Sequence, residues 1–127
     1  MKIFISIVAA GAVVVFAGAP ARAADAAKQI ATAAAHAGLA AGADSEKMVQ
    51  AHLHHVINCL EGPSGADFSA GPGNPCKDLG AGAIPDSQPD QRKMLESAAG
   101  MAKKALAETD PAKAKAMASE IQASLSK

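Results

Sequence analysis

The chain has 127 residues, with twelve basic and twelve acidic side chains for a net formal charge of zero, half of its residues hydrophobic, and no Trp or Tyr. The charges are interspersed and form no basic patch, which argues against a nucleic-acid partner, since phosphate binding needs clustered positive charge and single strands also need stacking rings. One domain suits this length, and its core is thin, so a covalent staple or a bound cofactor would be a proportionally large stabiliser.

Residues 1–23 read as a secretory signal: Lys2 supplies the positive start, Ile3 to Gly18 the apolar run, and Ala21-Arg22-Ala23 a small-x-small cleavage site. Cleavage is expected before Ala24, leaving residues 24–127 as a single helical domain in the periplasm or outside the cell, without a membrane segment. Phe68 is then the one Phe ring left.

The fold class expected is all-α: a small four-helix arrangement of two antiparallel hairpins with a long Gly/Pro-rich, disulfide-tethered insert. The first helix covers about 24–41 and is nearly all Ala, with Ile30, Ala34, Ala37 and Leu39 inward. A second begins at Asp44 or Ser45, both good N-caps, and ends at Gly62-Pro63. Val49, Leu53, Val56, Ile57 and Leu60 form its core face. The insert, 61–90, carries six Gly and five Pro, too many to continue a helix. Phe68, Leu79 and Ile84 are its apolar anchors. A third helix runs from Pro89 to about Ala107, where Gly100 suggests close approach of a neighbour. Asp110-Pro111 starts the fourth, with Ala114, Met117, Ala118, Ile121 and Leu125 inward and Lys113 and Lys115 outside. Short links after the first and third helices imply the two hairpins.

The chemistry concentrates in Met48 to Leu60, MVQAHLHHVINCL. Steps of four, three and four place Met48, His52, His55 and Cys59 in one narrow stripe of the helix surface, while His54 points to the far, solvated side. The stripe spans about 16 Å at 1.5 Å per residue, so one ion cannot touch all four. His52 with His55 is the best pair, and further ligands must come from elsewhere, with His36 of the first helix, Met94 and Met101 available. Neutral imidazoles suit copper or zinc, and Met48 would add a soft contact favouring Cu⁺.

Cys59 and Cys76, the only cysteines, read as a disulfide in an exported chain. That bridge would withdraw Cys59 from metal binding. In size and helix pattern the chain is similar to the four-helix b-type cytochromes, a likeness of architecture that implies noncovalent haem between one of the histidines and a Met. Covalent haem attachment is excluded by the lack of Cys-x-x-Cys-His. No His-Glu-x-x-His, nucleophile elbow or phosphate-cradling Gly motif is present, so no enzyme is expected. The expectation is therefore metal binding with His52 and His55 as primary ligands, His36 as an auxiliary one and Met48 as a soft contact. A protein-interaction role for the insert is the alternative, and the plainest reading of all is that His52 and His55 are seam residues whose polar tips reach water or the insert's backbone.

Overall fold

The computed structural model describes residues 24–127, and the leader expected over 1–23 lies outside them. The first helix, α1, spans Ala26–Gly42 because Asp25 caps it: the Asp25 carboxylate accepts the Lys28 backbone N–H at 2.9 Å. Its buried face is drawn by Ile30, Ala33, Ala34, Ala37 and Ala40. Leu39, expected inward, is 52% exposed. A helix buries one stripe, and the alanine seam of Ala33, Ala37 and Ala40 turns position 39 outward, because side chains this small let a neighbouring helix come closest.

Helix α2, Glu46–Glu61, starts at Ser45, whose Oγ accepts the Met48 N–H at 3.3 Å, and it carries Glu46 in the first turn. All five of its expected core residues are buried. From Val56 to Leu60 the helix is buried without interruption, which a single packed face does not require. The insert supplies the second cover.

The short helix α3, Ala83–Asp86, lies within that insert and was not anticipated. Two glycines close the insert on itself. Gly62 ends α2 at φ +74°, and a Cβ built there would stand 1.7 Å from the Ala81 carbonyl oxygen. Gly82, at φ +128°, would in turn put a Cβ 2.6 Å from the Glu61 carbonyl. Positive φ and direct backbone contact both demand glycine here. Leu79 and Ile84 pack against the core as expected, while Phe68 is half-buried.

Helix α4, Pro89–Ala107, and helix α5, Pro111–Leu125, each begin with proline at the first turn, and Asp110 accepts the Ala112 N–H at 2.9 Å. Leu95, Ala98, Ala102 and Ala105 of α4 and Ala114, Ala118, Ile121 and Leu125 of α5 are buried; Met94, Met101, Leu106 and Met117 are partly buried against them. Nothing stands within 4 Å of a Cβ built on Gly100, so the close approach expected there is absent. Lys115, expected outside, is half-buried and donates to the Ala43 carbonyl at 2.9 Å, closing the end of α1.

The protein is thus all-helical over the described residues, with five helices. α1 packs on α2 and α5, and α4 packs on the same two, so the long helices ring one buried cluster with α3 against α1, α2 and α4. No helix among the described residues is long and apolar enough to cross a membrane.

Candidate metal centre

Two helices meet at the site. α2 presents His52 and His55 three residues apart on one face, and α1 presents His36 across the seam between them. His36 Nδ1 lies 3.1 Å from His52 Nδ1 and 3.2 Å from His55 Nδ1. The ring centroids are 4.6–5.6 Å apart, and one nitrogen from each residue falls within 4.8 Å of the other two. All three rings are partly buried. The three histidines could therefore hold one metal ion.

The separations can be compared with coordination geometry. Nitrogens at the corners of a tetrahedron with bonds of about 2.0–2.1 Å stand about 3.3–3.4 Å apart. Contacts of 3.1 and 3.2 Å are close to that edge. Protons satisfy such a group poorly. His36 Nδ1 has a single in-plane valence, a proton or a lone pair, yet it faces two other nitrogens. A cation shared by three lone pairs meets a need that one hydrogen cannot.

The protonation state suits ligation. Burial first, and then the neighbouring His55 and His52, push the His36 pKa down from 6.5 to about 4. Burial and the proximity of His55 also lower that of His52. Near neutral pH, His36 is therefore in the uncharged form that binds metals. His55 is oriented from behind: its Nε2 is 2.7 Å from the Pro72 carbonyl oxygen. A carbonyl only accepts, so Nε2 carries the proton and Nδ1 is left with its lone pair toward the cluster.

The remaining expected residues fall differently. Cys59 and Cys76 form the disulfide, with Cα atoms 5.1 Å apart, and Cys59 is thereby removed from any metal site. Met48 is 46% exposed, one turn before His52 on α2. Met94 and Met101 are packed against the core. His54 is half-buried, with its Nδ1 shielded from solvent and unpartnered, so it is not the solvated residue expected. Lys103 of α4 pairs with Asp67 at 2.8 Å and Glu61 at 3.5 Å, and these carboxylates raise its pKa.

Sequence reasoning overlooked Asn58. It is fully buried one turn beyond His55, where its amide donates to the Ser69 carbonyl at 2.6 Å and the Gly73 carbonyl at 2.7 Å, and its Oδ1 accepts the Ser69 N–H at 2.9 Å. The signal was available: an amide inside an otherwise apolar run has to find partners, and only the insert could supply them. Gln29, also buried, donates to Asp86 at 2.8 Å and so ties α1 to α3. Comparison with protein family models, with curated proteins and with solved structures finds no match for this chain.

Proposed function

We propose that this is an exported, periplasmic or secreted helical protein that binds a transition metal ion, copper or zinc, through His36, His52 and His55. The observation that carries the reading is the meeting of three imidazole nitrogens from two helices, two of their separations near a coordination edge and all within 4.8 Å. His36 is a full member of this set and not an auxiliary to the other two. Met48, exposed one turn before His52 on the same helix, is the soft fourth contact of this proposal, and its thioether would bias the site toward Cu⁺.

Export is supported by the leader-like residues 1–23 and by the disulfide, a bond that persists in oxidising compartments. A binding protein is preferred to an enzyme on the sequence, which carries no His-Glu-x-x-His, nucleophile elbow or phosphate-cradling Gly motif. An ion is favoured over haem because three histidines converge on one another, whereas a haem held between one histidine and a Met would call on only one of them. The insert's carbonyls are engaged inward by Asn58 and His55, which favours the metal reading over an insert built chiefly for a protein partner.

The deciding experiment is titration of the purified protein with Zn²⁺ and Cu²⁺, and with Cu⁺ under reducing conditions, beside the His52→Gln/His55→Gln double variant and His36→Gln. Uptake of one ion per chain by the parent is expected. The double variant should lose it with helicity intact, and His36→Gln should weaken it strongly. A parent protein that takes up none of these ions at micromolar concentration overturns the proposal.

A further inference from the structure

Beside His55 runs a short strap, residues 69–73, tied to α2 by four hydrogen-bond contacts. Asn58 grips it at both ends, through Ser69 and through Gly73. Between these grips a turn, closed by the Gly73 N–H to the Ala70 carbonyl at 3.1 Å, presents the Pro72 carbonyl to His55 Nε2 at 2.7 Å. Gly73 takes φ +97° to make that turn. The Cys59–Cys76 bridge begins at the residue after Asn58 and closes three residues beyond Gly73, so the strap is held at its base as well.

We infer that Asn58 is a positioning residue for the metal site, acting through the strap to hold His55 in the tautomer whose Nδ1 faces His36 and His52. The inference rests on the metal-binding reading for its consequence. The chain of contacts that supports it does not depend on any ion. Asparagine is required because the two carbonyls need a donor and the Ser69 N–H needs an acceptor, and a side-chain amide has both. Aspartate, nearly the same shape, accepts only and would face two carbonyl oxygens at hydrogen-bond distance. The strap would then release, the Pro72 carbonyl would leave His55 Nε2, and the ring would be free to place its proton on Nδ1. Outer partners of this kind typically alter metal affinity by about 10–100-fold.

The test compares the parent with Asn58→Asp by two measurements. The first is ¹⁵N NMR of the His55 side chain in metal-free protein at neutral pH, which distinguishes Nε2–H from Nδ1–H imidazole. The second is Zn²⁺ affinity by competition with a chromophoric chelator. The parent should show the Nε2–H form, and Asn58→Asp should show mixed tautomers with about 10–100-fold weaker zinc binding. Leu53→Ala serves as a control, since it lowers stability from a buried position that makes none of the strap's hydrogen bonds and should leave the tautomer unchanged. If Asn58→Asp does not fold, Ser69→Pro removes one of the three strap contacts from the partly exposed side and takes its place.

An unchanged tautomer, whatever happens to affinity, overturns the inference, and so does a shifted tautomer with unchanged zinc binding. If the parent binds no zinc but the tautomer still shifts in the variant, the metal reading falls for zinc while control of the His55 ring by Asn58 stands.

Discussion

The two sides of the bundle are held together by different means. Where α1 meets α5, the buried face of α1 is mostly alanine, and even Gly38 comes so near that a Cβ there would stand 2.4 Å from the Gln122 amide nitrogen. Where α2 meets the insert, the contacts are a disulfide, an asparagine bonded to three backbone groups and a histidine bonded to a carbonyl. Smooth, small surfaces bring helices close with little directional bonding. The irregular insert cannot pack so, because its peptide groups must find partners one by one. The histidines gather on the second kind of surface, where polar atoms are already oriented.

That contrast is open to attack from several directions. The largest effect should follow from emptying the core beneath both sides. Leu53→Ala, at a fully buried position, is expected to cost about 2–5 kcal/mol in chemical denaturation, whereas Leu39→Ala, at an exposed one, should cost little. Comparable losses would show that α1 buries its Leu39 face after all. Next comes the staple. Replacing both cysteines by Ala reopens a link across 17 positions and should lower stability by about 3 kcal/mol on the chain-entropy account, with the Pro72–His55 contact loosened as a local consequence. A loss of stability without altered His55 resonances would separate the staple from the site.

Acid should act on the histidine side. The unfolded chain takes up a proton at position 36 near pH 6.5, while the folded one resists until about pH 4. Between those values the unfolded state binds more protons, so stability is complete above about pH 6.5 and declines as the pH falls through this window. In denaturation series from pH 7 to 4.5, His36→Gln should show a shallower decline than the parent; identical slopes would place the acid sensitivity elsewhere. Bound metal should also be displaced in acid, as protons compete for the same lone pairs. The smallest effect is expected away from both surfaces, on α4. Gly100→Ala meets open space and should raise stability by about 0.5–1 kcal/mol, seen as a higher melting temperature. A destabilised variant would mean that a neighbour comes closer to α4 than the structure shows.

Much of the scaffold was legible because local rules and global packing agree. Ser45, Asp110 and the two helix-starting prolines mark ends that depend only on nearby backbone, and the apolar stripe of α2 is wide enough to define its own buried face. The pairing of Cys59 with Cys76 was forced by there being only two cysteines. The alanine-rich α1 was harder to read. With Ala on every side its pattern does not reveal which face is inward, and Leu39 was misplaced for that reason.

The site was half legible on the same grounds. Spacing along one helix paired His52 with His55, but the equal partnership of His36 depends on how α1 is set against α2, which no local pattern encodes. A histidine tip meeting the insert's backbone was foreseeable, but not that Pro72 supplies the contact, since it is a main-chain oxygen that matters there and every residue has one.

The contact of Gly62 with Ala81, and of Gly82 with Glu61, brings the chain back to where it departed from α2. The distance from α2 to α3 is therefore independent of how many residues make the excursion. Lengthening it at the exposed Ser64 would raise the entropy of closure only slowly, by about 0.6 kcal/mol for a doubling. Evolution or an engineer could enlarge this outgrowth without disturbing the helices, provided the crossing point keeps its two side-chain-free residues.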